Sequence, residues 1–443
     1  MPKKGLISAL MTLLTLVVSA QEVRHDVTLD DVLVVSHRRM KDVGVEKTVL
    51  DTVALRENVS LSMADILSKN STLFIKSYGR ATEATAEFRG TSPSHTQVTW
   101  NGMKINSPML GTVDFSTIPA YFIDEAVLYH GGSSINITGG GLGGAVEMTT
   151  KPITDEGLHG QYVLGVGSFN TYDNFLRLTY RKGRWQSSTR VVLSTSDNDY
   201  TYTNYDKKVD VRDEAGNITS SYHPREKNKS GYFTDIHALQ EVGYDMGDKG
   251  KLNMSIWYTH SKRGLPFLSV DYKEDADFLN EHKSDVLRGV LSWNIHRSVW
   301  SLNVKGGYIF SSMGYDYYTT RQESKNNITA SESTTNTAFG SAQFDWSITP
   351  KLLLTTSTSA YYNHVKSKDK SPFHIGDNFD RRRVDADANV QLRWRPLQEL
   401  TIAGVVRDES HGGSFVPPIP ALFIDYVLYK PLNLVLKTSV SRN

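Results

Sequence analysis

Val384-Asp385-Ala386-Asp387-Ala388-Asn389-Val390-Gln391-Leu392-Arg393-Trp394-Arg395 decides how the larger part of this chain is read. Every second residue, from Val384 to Trp394, is apolar or small, and every residue between is polar or charged. Successive side chains of a strand point to opposite faces, so a period of two describes a strand with one apolar and one wet face. On a helix the same residues would be scattered around the axis.

The pattern recurs outward from there. Tyr172, Leu176, Leu178 and Tyr180 oppose Asp173, Arg177, Thr179 and Arg181. Leu252, Met254, Ile256 and Tyr258 oppose Asn253, Ser255 and Thr259; Trp300, Leu302, Val304, Tyr308 and Phe310 oppose Ser301, Asn303 and Lys305. Short turns are expected at Lys182-Gly183, Gly247–Gly250, His296–Ser298, Thr349-Pro350, Pro396–Gln398 and Lys430-Pro431. Long polar connections are expected near 197–233, 263–283, 312–333, 367–382 and 408–421. Short and long connections alternate, and aromatics sit near the ends of the apolar faces, as in a membrane barrel with tight turns on one side and wide loops on the other. A soluble β-sandwich is the competing reading, but it does not need wide loops at one end only. About thirteen strands are counted, an odd number that leaves a single-chain bacterial barrel unfinished.

The opening residues read as an export signal. Lys3 and Lys4 precede a mostly apolar run, Leu6 to Val18, and Val18-Ser19-Ala20 is a small-residue cleavage site, so residues 1–20 are an address and Gln21 begins the mature chain. The run is shorter than the ~20 residues a spanning helix requires. The 443 residues contain no cysteine, which excludes disulfides, thiolate metal sites and a cysteine nucleophile. The net charge of +1 implies no nucleic-acid partner.

Residues 21–50 read as a polar arm. Within it Val32-Leu33-Val34-Val35-Ser36 is a β-branched island flanked by Asp30, Asp31, His37 and Arg38. It is either an edge strand of the next domain or a peptide that adds itself to a partner's sheet edge. Residues 51–152 read as a compact α+β domain. Ser60 to Ser68 has helical spacing with Ser60 or Ser62 as cap. Strands are expected at Phe74–Lys76, Ala86–Arg89, Gln97–Trp100, Ala126–Tyr129 and Ala145–Thr150, with a primed turn at Asn101-Gly102.

Those motifs carry a resemblance. Phe88-Arg89-Gly90-Thr91-Ser92-Pro93-Ser94-His95, then Val98–Gly102, then Asp114–Pro119, Ile123–Val127 and Gly139–Thr150 resemble, in order, the plug domain of TonB-dependent receptors. The resemblance implies a mainly β fold: a small α+β plug at 51–152, then, over 153–443, an incomplete antiparallel transmembrane β-barrel of about 13 out of about 22 strands. It implies that Val32, Leu33, Val34, Val35 and Ser36 are a TonB box, drawn out by a TonB-type energy-transducing protein. It implies ligand contact by the plug apices, Ser77, Tyr78, Gly79 and Arg80 on one loop and Asn106, Ser107, Pro108 and Met109 on another. It implies that Arg89 locks the plug to the barrel, whereas His130 replaces the family's second arginine and Glu147 stands where an apolar residue or Asn is common. The implied protein is a non-enzymatic, monomeric outer-membrane receptor surrounded by lipid. It takes up a small, scarce nutrient complex, closest to corrinoids, with siderophore-iron and haem as alternatives, and needs no cofactor. The rivals are a non-functional receptor remnant, and a passive pore or adhesin, which needs neither plug nor arm.

Other motifs carry less. Gly139-x-Gly141-x-x-Gly144 satisfies a dinucleotide fingerprint literally, but a strand follows it where a helix is required. His95 and His130 are haem or metal ligands in one reading and turn or pocket residues in another. Asp271, Glu274, Asp275 and Asp277 are a calcium-type oxygen cluster or solvated loop charge. Arg381-Arg382-Arg383 meets acidic lipid groups or forms a solvated rim. No Ser-His-Asp or paired-carboxylate arrangement supports catalysis, and no metal site is assigned.

Overall fold

The computed structural model describes residues 43–131, 135, 141, 143–265, 278–321, 324–371, 376, 378–432 and 434–442. The expected arm segment Val32–Ser36 and the acidic run 271–277 lie outside the described residues.

The first domain is built on local signals. Asp51 caps a short helix, α1 (Thr52–Leu55), by accepting from the N–H groups of Val53 and Ala54. Ser62 caps α2 (Met63–Asn70) in a capping box with Asp65, and Met63, Ala64, Ile66 and Leu67 are buried. The helix therefore starts at Met63, after the cap, and not at Ser60. Seven strands follow in chain order: β1 (Lys47–Leu50), β2 (Phe74–Ser77), β3 (Ala84–Glu87), β4 (Thr96–Trp100), β5 (Met103–Lys104), β6 (Glu125–His130) and β7 (Gly144–Thr149). Five form one sheet in the order β1-β6-β7-β4-β5, and β2 pairs with β3. Asn101 and Gly102 take positive φ of 49° and 85°, the primed turn that suits the β4–β5 hairpin. Strand β3 stops where Arg89 and Gly90 turn left-handed, two residues before the expected end of pairing.

Residues 47–50 correct the boundary drawn at 51. Their place in the sequence assigns them to the arm, yet β1 pairs antiparallel with β6 from Lys47↔Tyr129 to Leu50↔Ala126. The β-branched content of Thr48 and Val49 is used as a sheet edge.

The second part is one antiparallel wall. Its strands are β8 (Gly157–Gly167), β9 (Thr171–Lys182) and β10 (Trp185–Ser196), and, after an excursion, β15 (Phe233–Asp245), β16 (Lys251–Gly264), β17 (Phe278–His296), β18 (Trp300–Arg321) and β19 (Ser324–Thr349). It continues with β20 (Leu352–Asp369), β21 (Phe379–Trp394), β22 (Leu400–His411), β23 (Ser414–Tyr429) and β24 (Leu434–Ser441). The excursion holds two small ribbons, β11 (Thr201–Thr203) with β14 (Arg225–Lys227), and β12 (Val209–Arg212) with β13 (Ile218–Tyr222). The thirteen wall strands run in unbroken neighbour order from β24 to β8, and β8 and β24 do not pair with each other.

Two expected wide loops are strands instead. β18 and β19 stay paired to Arg321↔Ser324, so 312–333 is a long hairpin. β22 and β23 are joined by Gly412-Gly413, both at positive φ, so 408–421 is also a hairpin. Here the alternation simply continues past the polar residues. Its register slips between Arg407 and Glu409, opposite Pro417 and Pro418, which have no N–H to donate to a ladder.

The wall is apolar outward. Val384, Val390, Leu392 and Trp394 are exposed, while the alternate residues Gln391 and Arg393 are buried. Leu158, Tyr162, Leu164, Val166, Tyr172, Leu176, Leu178 and Tyr180 repeat this on the first two strands. A soluble protein does the reverse; an outward apolar band is what lipid selects. Among the described residues no helix is long and apolar enough to cross a membrane, which says nothing about strands.

The buried polar face holds the first domain. Trp100 packs edge-on against Trp257 of β16 at 5.4 Å, and Tyr121 against Phe175 of β9 at 4.8 Å. Gly165 of β8 faces Val59, and Gly44 faces Phe423 of β23. Contacts at both ends of the wall mean that it curls around this domain.

Candidate functional site

The seam between domain and wall is closed by charges inside it. Ile123-Asp124-Glu125 leads into β6, and Asp124 is turned outward against β10. There Arg190 donates from Nη2 to Asp124 Oδ2 at 2.5 Å and from Nη1 to Oδ1 at 3.2 Å. Arg56 donates to the same carboxylate at 2.9 Å, and the Lys151 backbone N–H at 2.9 Å. Arg177 of β9 stands 4.0 Å away. Burial by itself would raise the Asp124 pKa. The charge and hydrogen bonds of Arg190, the Lys151 N–H and Arg177 outweigh burial and hold the carboxyl below its ordinary value. Arg190 also approaches Glu241 of β15 at 3.5 Å and donates to the Phe122 carbonyl at 2.9 Å. Asp124 and Arg190 are 3% and 0% exposed as side chains, so each charge depends on its partner.

Further anchors ring the domain. Arg263 of β16 donates to Ser116 Oγ at 2.8 Å and Asp114 at 3.2 Å, and pairs with Asp235 at 3.3 Å. Arg80 pairs with Asp173 of β9 at 2.6 Å. Lys305 Nζ donates to the Asn101 carbonyl at 2.9 Å, and Tyr361 Oη accepts from the Lys104 N–H at 3.1 Å. Near the start of the described chain the Gly44 N–H donates to Asp425 at 2.7 Å, and Lys437 donates to the Val45 carbonyl at 3.2 Å. These hydrogen bonds and ion pairs alternate with apolar contacts: Phe175, Val192, Leu239, Trp257, Val290, Phe339 and Tyr361 of the wall share one buried cluster with the domain, and Val43 packs with Val405 and Phe423 in another.

The two loops expected at the plug apex lie toward the same end of the wall, the end with the 197–232 excursion. Ser77, Gly79 and Arg80 border a crevice of about 70 Å³ with Asp173, Ser194 and Phe233. Tyr78 is exposed, with Lys76 Nζ 5.5 Å from its ring centre. Ser107, Pro108 and Met109 line a cavity of about 400 Å³ with Tyr361, Arg383 and His411. That cavity has charges of both signs: Lys104, Arg383, Asp385, Asp387 and Glu409. Burial pushes the Lys104 ammonium down from its ordinary value. Arg383 of the Arg381–Arg383 run is paired to Asp385 at 2.9 Å.

Asn106 lines the same cavity, and it is buried and also holds the loop together. Its side chain accepts from the Val98 N–H at 2.8 Å and donates to the carbonyls of Thr96 and Gly111 at 2.9 and 3.0 Å.

Arg89 meets a carboxylate of its own domain. Its guanidinium donates to Glu46 at 2.9 Å, with both side chains largely exposed. Glu46 directly precedes β1, so this pair ties two parts of one domain and is not the lock to the described wall. His130 is buried, with Nε2 3.0 Å from Thr48 Oγ1 and its ring edge-on to Phe88 at 5.6 Å. Burial lowers its pKa. The sequence does not single out Asp124, Arg190 or Arg263. The one available signal is Asp124, an acid between Ile123 and the Glu125 that opens the strand, and nothing local names its partner. Among the described residues no group of three or more acidic, histidine or cysteine side chains is arranged to hold a metal ion.

Comparison with known proteins agrees with this geometry. Residues 39–145 match the family described as TonB-dependent Receptor Plug Domain. The chain is 26% identical over 265 residues to the vitamin B12 transporter BtuB of Photobacterium profundum, covering 58% of this chain and 39% of that protein. It is 29% identical over 208 residues to the vitamin B12 transporter BtuB of Vibrio vulnificus, covering 44% and 32%. The chain thus spans between a third and two fifths of the length of these relatives. In fold it is similar to the copper transporter OprC, with a TM-score of 0.65 at 14% identity over 89% of this chain and 64% of that one. It is also similar to the siderophore receptor PirA from Acinetobacter baumannii, at 0.66, 15%, 89% and 60%. A domain that matches the TonB-dependent receptor plug is thus held against the polar face of an apolar-outward strand wall, and the similarities support a TonB-dependent receptor.

Proposed function

We propose that this chain is the plug-bearing part of an outer-membrane receptor for energised uptake of a small, scarce nutrient complex, with a corrinoid as the first choice of ligand. One observation carries the reading: a plug seated in a lipid-type wall by apolar contacts interleaved with buried hydrogen bonds and ion pairs, Asp124–Arg190 foremost, with both apical loops at one end. A seam of hydrogen bonds and ion pairs can be broken and re-formed more readily than a dry core of the same size, because water replaces each lost partner. The outer membrane supplies no ATP, so the work comes from a TonB-type partner pairing with Val32–Ser36 and pulling. Ser77–Arg80 and Ser107–Met109 contact the ligand, while Asn106 shapes the second loop.

The corrinoid choice rests on the two B12 transporters among the relatives and on the mixed charge around the 400 Å³ cavity. A highly anionic ferric siderophore would meet Asp385, Asp387 and Glu409 there.

The test is accumulation of radiolabelled cyanocobalamin by cells that depend on this receptor, with and without the TonB-type protein. Uptake that needs both supports the proposal. Surface binding without accumulation in energised cells points to a remnant, and uptake of ferric siderophore alone replaces the ligand.

A further inference from the structure

Three cavities along the plug–wall seam share lining residues. The first, about 220 Å³, lies beside the short-turn end and is bordered by Gln186, Asn253 and Asn294. The second, about 70 Å³, is bordered by Ser341, Ser357 and Asn389. The third is the cavity of about 400 Å³ at the apical end. Glu147, Asn303 and Lys305 line both the first and the second; Asp387 lines both the second and the third. The β4–β5 hairpin borders all three in turn, through Asn101, then Thr99 and Gly102, then Lys104. The cavities are walled by strands β10 and β15 to β22, away from the unpaired edges of β8 and β24.

We propose that this chain of cavities is a prebuilt hydrated passage along the seam, and that Lys305 is the seal that keeps it shut in the resting receptor. The inference rests on the reading of the wall as membrane-spanning. Lys305 stands at the junction of the first two cavities, with its ammonium donating to the Asn101 carbonyl at 2.9 Å. Its side chain fills the space next to Gly102, where an added Cβ would collide with it. Gly102 therefore leaves room for the lysine as well as making the turn. β5 is two residues long and pairs with β4 through Thr99↔Lys104 and Trp100↔Met103, and the Ile105 N–H and the Asn106 side chain extend the tie to Val98 and Thr96 of β4.

The charge at the junction makes the proposal specific. Lys305 and Glu147 line the same two cavities, and Glu147 is the acid in a position where the family commonly has an apolar residue or Asn. A fixed ammonium in a narrow wet gap repels cations, and its loss leaves Glu147 to attract them. An opened passage is cation-selective for that reason.

The experiment measures ion conductance of the purified receptor in planar bilayers, and leakage across the outer membrane of cells lacking the TonB-type protein. Lys305→Ala is expected to raise both several-fold and to show a reversal potential favouring cations. Lys305→Arg is expected to keep the seal, and Lys305→Ala combined with Glu147→Gln to leak without cation preference. Equal conductance of Lys305→Ala and wild type, whether both silent or both open, overturns the proposal. So does a leak in Lys305→Ala that shows no cation preference, because general loosening of the plug would produce that. Membrane fractionation runs in parallel: receptor absent from the outer membrane refutes the membrane reading itself, whereas receptor present but unaffected by Lys305→Ala refutes only the seal.

Discussion

Arg190 of the wall and Asp124 of the plug share two hydrogen bonds, 2.5 and 3.2 Å long, with side chains 0% and 3% exposed. They are 66 residues apart in the chain. Removing one partner strands the other charge in a buried site. Arg190→Ala is expected to weaken plug seating by about 3–5 kcal/mol, whereas replacing both residues by apolar ones of similar volume costs far less. Limited proteolysis of the plug in detergent, read alongside thermal melting, checks the contrast. Equal protease resistance in Arg190→Ala and wild type contradicts it.

The same pair sets a pH dependence. The folded pKa of Asp124 lies below its unfolded value, so the carboxylate contributes stability that is complete above the unfolded value of about 4. That contribution is lost as pH falls through the lower folded value. Plug seating should therefore hold from neutral pH down to about 4 and weaken below it, and Asp124→Asn should flatten this part of the profile. The check is protease sensitivity against pH for both proteins.

Asn106→Ala removes three hydrogen bonds and leaves the Val98 N–H and the carbonyls of Thr96 and Gly111 unpaired in the domain interior. A cost of about 1–3 kcal/mol is expected from the unsatisfied groups. The loop Ser107–Gly111 should show faster amide exchange. Met109→Ala, on the surface of the same loop, should lower ligand affinity with no change in melting. Loss of stability in Met109→Ala, or none in Asn106→Ala, would reverse the two assignments.

Val34→Pro takes one N–H from the arm segment and fixes its φ, which spoils it as an added strand. Ligand binding to cells should persist while accumulation collapses. Unchanged accumulation would remove Val32–Ser36 as the partner site.

Much of the architecture is local and was therefore legible. The alternation from Val384 to Trp394 specifies a strand and its lipid face whatever lies beside it, because side-chain direction follows the backbone. Ser62 with Asp65 starts a helix, and Asn101-Gly102 makes a primed turn, each through groups within three residues. The ordered plug motifs added the family, and the match over 39–145 agrees. Where a polar stretch stays in the strand period, as in 312–333 and 408–421, composition pointed to loops and the pairing overrode it.

Partner choice was not legible, since nothing in a strand's own pattern says which residue faces it across a gap. Arg89 carried the family's motif yet meets Glu46 in its own domain, while Asp124 found Arg190 from another. Asn106 lines the apical cavity and also braces its own loop from within. Residues 47–50 had strand composition in a polar arm, and only the free edge of β6 decided that they join the plug. The sequence by itself determined strands, turns and the faces they show to lipid. Only the folded wall, wrapping the plug, decided which charges leave water together, because the cost of burying one charge is met only when its partner is buried at the same place.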